Sequence, residues 1–136
     1  MTKSNFHKLQ HVQNTLARVV LRRGKFEHIT TALKELHRLP VKHRVTYKLA
    51  TLAFTIKSTG QPIYLRELLL ENEPARTLRS SSKHLLSETA SKSTLFSRGF
   101  AAAVWNNLPD SIRCCKTFAS FKRNVKTYLF NLAFPA

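Results

Sequence analysis

The sequence predicts a mainly α fold: a small multi-helix domain with a poorly ordered or weakly hairpin-forming middle segment. Three observations predict it. Apolar residues recur at three- and four-residue steps near both ends of the chain. The three Gly and five Pro of the 136 residues fall mostly between those periodic stretches. Residues 71–98, by contrast, are rich in Ser, Thr and charge, with few apolar anchors. The expected organisation is one domain, 1–136, with N-terminal helices over 1–70, an irregular segment over 71–98 and C-terminal helices over 99–136. No Gly/Ser linker marks a domain boundary.

In chain order, Leu9, Val12, Leu16, Val19 and Val20 form one stripe of a first helix, and the expectation is that this stripe faces the core. Gly24 is expected to end that helix, with Arg22, Arg23 and Lys25 gathered where the carbonyl end of the helix favours cations. A short extended link, Phe26-Glu27-His28-Ile29, follows. Thr30 is then the expected N-cap of a two-turn helix that Pro40 stops.

A longer helix is expected from Val41 to Ser58, with Val41, Val45, Leu49, Leu52, Ala53 and Ile56 inward and Gly60 as its exit. Arg44 and Lys48 stand one turn apart on its other side. Pro62 opens a short helix carrying Ile63, Leu65, Leu68 and Leu69.

Beyond residue 98, Phe100 to Pro109 holds the only Trp of the chain, a run of small residues suited to close packing, and a Leu-Pro that must end the helix. Trp105, Leu108 and Pro109 are therefore read as a structural hub. Asp110 is expected to cap the turn that follows. Thr117 caps a last helix bearing Phe118, Phe121, Val125, Tyr128, Leu129 and Leu132 on one side and Lys122, Arg123 and Lys126 on the others.

Charge is the strongest compositional signal. There are 23 Lys and Arg against 7 Asp and Glu, a formal net charge of +16. The excess is concentrated at the two ends: residues 1–48 hold eleven Lys and Arg against two Glu, and residues 113–136 hold five and no acid. A chain this basic repels itself unless a polyanion neutralises it, which points to RNA or DNA ahead of an anionic membrane surface. The expected contacts are Arg22, Arg23, Lys25, Arg44, Lys48, Lys122, Arg123 and Lys126. For Arg22, Arg23 and Lys25 the competing reading is that they only finish a helix.

The chemistry open to the chain is narrow. Asp110 is the only aspartate, and the six glutamates show no metal spacing, which argues against two-metal polymerase or nuclease chemistry. Three glycines leave no phosphate-cradling loop. His7 and His11 share a helix face without a second ligand pair, and Cys114-Cys115 has no zinc-type partners. No catalytic residue, metal, cofactor or small-molecule substrate is expected. Two adjacent cysteines fit a reducing compartment, so an intracellular location, nuclear or cytoplasmic, is expected. No apolar run is long enough to span a bilayer, and the first twenty residues lack the apolar core of a secretory signal. There is no zinc-finger spacing, aromatic ribonucleoprotein motif or Gly-x-x-Gly clamp, so any nucleic-acid recognition is electrostatic.

Several motifs, taken in order, carry a family resemblance. They are Lys8-Leu9-Gln10-His11-Val12-Gln13-Asn14, Phe26-Glu27-His28-Ile29-Thr30, Leu33 to Val41, Pro62-Ile63-Tyr64-Leu65, Arg79-Ser80, Phe100 to Arg113 with Trp105-Asn106-Asn107-Leu108-Pro109, and Phe118-Ala119-Ser120-Phe121-Lys122. Together they resemble the region that follows the reverse transcriptase in LINE-type (non-LTR) retrotransposon polyproteins of the jockey and chicken-repeat kind. The resemblance implies a non-catalytic tail, since the endonuclease and polymerase segments of the family are absent from this sequence; a full-length relative would be an RNA-directed DNA polymerase. It also implies template holding by a basic surface and, as a further partner, a reverse transcriptase domain. Two alternatives stay open beside nucleic-acid binding. One is an interaction module that packs on a polymerase, with its apolar stripes partly exposed when alone; the other is a translated relic without function.

Overall fold

A computed structural model describes residues 3–67, 69, 85–87 and 100–135. The described residues form seven helices: α1 (Lys3–Val20), α2 (Ile29–Glu35), α3 (Val41–Thr59), α4 (Ile63–Arg66), α5 (Phe100–Asn106), α6 (Asp110–Arg113) and α7 (Phe118–Ala133). The fold is mainly helical, with no strand among the described residues. The irregular or hairpin segment expected over 71–98 lies outside the described residues, apart from Leu85, Leu86 and Ser87.

The residues divide into two compact units, Met1–Thr46 with Lys126–Ala136, and Tyr47–Val125. Both boundaries fall inside helices, α3 and α7, and none falls in a linker.

In the first unit, Ala17, Leu33 and Phe134 are buried together, with Ile29, Leu36, Phe130 and Ala133 packed against them. The Phe130 ring lies 4.9 Å from Phe134 and 5.7 Å from His37. Only Ala17 of α1 is buried. The stripe of Leu9, Val12, Leu16, Val19 and Val20 is exposed, which overturns the expectation that it faces the core. The reason is a pair of amide side chains on a different face of α1. Gln10 Oε1 accepts the Val41 N–H at 2.9 Å, and Gln13 Nε2 donates to the Leu39 carbonyl at 2.9 Å. Val41 opens α3, so Gln10 serves as an N-cap supplied from 31 residues away. Pro40, lying between those two contacts, has no N–H to satisfy.

Two helix ends in this unit share one geometry. After α1, Arg23 N–H reaches the Arg18 carbonyl at 2.9 Å and Arg22 N–H reaches Val19 at 3.2 Å; after α2, Arg38 N–H reaches Leu33 at 2.9 Å and His37 N–H reaches Lys34 at 3.1 Å. This is the Schellman pattern, which needs a left-handed residue just past the helix. Arg22 at φ 51° and His37 at φ 49° fill that place. Arg22, and not Gly24, therefore ends α1. Gly24 instead begins a turn closed by the Glu27 N–H on the Gly24 carbonyl (3.3 Å) and the Gly24 N–H on Glu27 Oε1 (3.2 Å). The chain turns at 25–27 where an extended link was expected, so α2 starts at Ile29 with His28 before it, and Thr30 lies inside the first turn.

In the second unit the core is aromatic. Phe54 of α3 stacks on Phe121 of α7 at 4.3 Å, and Trp105 of α5 stacks on Phe121 at 5.8 Å. Trp105 and Phe121 are 2% and 0% exposed. Ala50, Ala53 and Ile56 are buried with Phe54 on α3, so the inward face is turned relative to the expected one: Leu52 is exposed. Gly60, at φ 69°, closes α3 with its N–H on the Ile56 carbonyl at 2.8 Å, as expected for a left-handed glycine stop. Pro62 precedes α4, which leaves Ile63 and Tyr64 exposed.

The Trp105 helix stops where Leu-Pro requires. The Pro109 carbonyl then accepts the N–H groups of Ile112 (3.0 Å) and Arg113 (3.2 Å), which starts α6. Asp110 does not cap this helix by its side chain; its carboxylate holds Arg113 at 3.2 Å. At α7, Thr117 Oγ1 accepts the Ser120 N–H at 3.3 Å, an N-cap in the expected place.

Candidate nucleic-acid interface

The eight cations singled out from the sequence are distributed over both units. Arg22, Arg23, Lys25, Arg44 and Lys126 belong to the first; Lys48, Lys122 and Arg123 belong to the second. All but Arg23 are exposed.

Arg23 is engaged within the protein. Its guanidinium meets Glu27 at 3.4 Å and Glu35 across the turn. It thereby ties the end of α1 to α2, which corresponds to the helix-finishing reading of this residue. Lys25 and Arg22 extend from the same connection without an ion pair among the described residues.

Arg44 and Lys48 are exposed one turn apart on α3, and neither has an ion pair among the described residues. On α7, Lys122, Arg123 and Lys126 lie within about one turn of each other, since a helix brings positions three and four apart onto one face. Lys122 Nζ stands 5.2 Å over the Phe118 ring, a cation held beside a half-exposed aromatic face. Phe118 is itself 45% exposed, so the pair is available to a stacking base as well as to a phosphate.

Three of the described carboxylates are engaged away from these exposed cations. Glu27 and Glu35 are taken up by Arg23, and Asp110 by Arg113. α1, α3 and α7 contain no Asp or Glu at all. The exposed cations of each unit thus add up to a positive field, which salt weakens.

His43 adds no charge to this surface. His43, half-buried near the start of α3, is held below its ordinary value, first by burial and then by the neighbouring Lys42, so its ring is neutral at physiological pH. Among the described residues no group of three or more His, Cys, Asp and Glu side chains comes together. No described helix is long and apolar enough to cross a membrane.

Two residues central to the second unit were not singled out by composition or periodicity. Asn106 donates from Nδ2 to the Leu86 carbonyl at 2.9 Å and accepts the Leu86 N–H on Oδ1 at 2.9 Å. Arg113 is buried and donates to the Asn106 carbonyl at 3.4 Å. The Trp105-Asn106 step therefore carries both an aromatic anchor and a backbone clamp, and Trp105, Leu108 and Pro109 form part of the packing without presenting a reactive group. The only signal for Asn106 in the sequence is its position beside Trp105 in the resemblance motif.

No family model, curated protein or solved structure matches this chain.

Proposed function

We propose that the chain is a non-catalytic RNA- or DNA-binding module, acting through the exposed cations of the α1–α2 connection, α3 and α7. The observation that supports this most directly is the sorting of charge: three described carboxylates are tied to Arg23 and Arg113, while Arg22, Lys25, Arg44, Lys48 and Lys126 have no ion pair among the described residues. Such a surface reads phosphate and not base sequence. The ordered motifs that resemble the post-polymerase tail of LINE-type retrotransposon proteins support the same reading, in which the module holds template beside a reverse transcriptase. RNA and DNA would be met in the nucleus or cytoplasm.

The test is titration of labelled single- and double-stranded oligonucleotides of unrelated sequences. If six of these cations meet phosphates, duplex affinity falls by about a thousandfold between roughly 50 and 200 mM salt. Arg44→Glu with Lys48→Glu should weaken binding to all sequences alike while the circular dichroism stays unchanged. A flat salt response, or full binding by the double variant, overturns the proposal.

A further inference from the structure

Phe118 is the outermost of four aromatic rings that pack one against the next. It lies 6.0 Å from Phe54, which stacks on Phe121 at 4.3 Å, and Phe121 in turn stacks on Trp105 at 5.8 Å. The other three rings are buried, whereas Phe118 is 45% exposed. A single exposed phenylalanine is ordinary where its ring is loose. This ring is held: the core of the second unit backs it through Phe54, and Lys122 Nζ stands 5.2 Å from its centre.

Phe118 and Lys122 are four residues apart on α7, which makes them neighbours on one face of the helix. Lys116 and Arg123 are exposed within two residues of the pair, so a polyanion running past the ring meets further positive charge. No Asp or Glu on α7 opposes it. A backed aromatic face beside a cation suits a nucleotide of an unpaired strand, whose base has a free π-face to stack and whose phosphate is within reach of the ammonium. A duplex fits poorly, because its base faces are stacked on one another and a protein ring meets them only by unstacking a step.

We propose that Phe118 and Lys122 form a subsite for one nucleotide of single-stranded RNA or DNA, with the base against the ring and the phosphate at the ammonium. Lys122 is exposed on a flexible stem, so a phosphate draws its ammonium aside and the base takes the ring face that it leaves. This subsite rests on the nucleic-acid reading above and adds to it a contact that tells unpaired from paired strands.

The experiment titrates the full chain against a fluorescent oligodeoxythymidylate of roughly twelve nucleotides, and against the same strand paired with its complement, at one salt concentration. Phe118→Leu keeps apolar bulk beside Phe54 but has no flat face. It should weaken single-strand binding about tenfold, leave duplex binding unchanged and keep the circular dichroism of the natural chain. Phe118→Tyr keeps the face and should bind the single strand as the natural chain does. Lys122→Gln removes a phosphate contact and should weaken both forms, with a shallower salt dependence. The subsite is overturned if Phe118→Leu binds the single strand as well as the natural chain, or loses both forms equally; in either case phosphate binding by the other cations still stands. A loss confined to the duplex marks a ring wedged between paired bases and overturns it as well. Failure of the natural chain to bind either form overturns the subsite together with the nucleic-acid reading beneath it.

Discussion

Asn106 holds both main-chain groups of Leu86, giving one hydrogen to its carbonyl and taking one from its amide, each at 2.9 Å. Leu86 is buried, so those groups have no water to fall back on. Asn106→Ala should cost about 2–4 kcal/mol, the sum of a buried donor and a buried acceptor left unpaired. Asn106→Asp keeps the acceptor, loses the donor and sets a carboxylate against a carbonyl, so it should be at least as damaging at neutral pH. Urea unfolding followed by circular dichroism measures both variants.

The cap that Gln10 provides for Val41 gives a second expectation. Gln10→Ala should destabilise the chain by about 1 kcal/mol, the usual effect of losing an N-cap. Gln10→Glu restores an acceptor at the start of α3 and adds a negative charge where a helix favours one, so it should recover most of that loss. A Gln10→Glu variant no more stable than Gln10→Ala would show that the Val41 contact contributes little.

Arg22 and His37 occupy left-handed positions normally given to glycine. Arg22→Gly should stabilise the fold by up to about 1 kcal/mol. The same change removes an exposed cation, so oligonucleotide affinity should fall as the melting temperature rises. His37→Gly should gain less, because it gives up the ring contact with Phe130. A calorimetric scan of the two variants separates backbone relief from side-chain packing.

His43 supplies the pH dependence. Burial, and secondarily Lys42, hold its proton affinity in the folded chain below the ordinary value of 6.5. The unfolded chain takes up that proton more readily, so acidification favours unfolding. Stability present above about pH 6.5 is lost as pH falls through the folded value. His43→Gln should flatten the fall in melting temperature between about pH 7 and 5.

Helix positions followed from local rules wherever those rules were complete within a few residues. Pro40 and Gly60 bracket α3, and Thr117 stands three residues before the Ser120 amide that it caps. Periodicity also placed Phe121, Val125 and Leu129 on the buried side of α7. It failed on α1 because burial there is decided by partners far away in sequence. Gln10 and Gln13 face inward to bond main-chain groups at 39 and 41, and no hydrophobic pattern encodes that demand. Arg22 reads as a helix-end cation in the sequence but is the left-handed stop in the fold, since sequence rules assign that place to glycine. For the interface, residue type was legible and pairing was not: Arg23 looks like its neighbours in the sequence, and only the fold brings Glu35 to it.

The single Trp105 lies wholly in the second unit, stacked on Phe121 and with Lys57 Nζ 5.4 Å from its ring centre. Indole fluorescence therefore reports on Tyr47–Val125 alone, whereas far-ultraviolet dichroism sums helices from both units. Superimposed denaturation curves from the two signals mean that the chain melts as one cooperative body, and curves that part company mean that its halves melt in turn. The only tryptophan thus makes the cooperativity of the whole chain measurable without any added label.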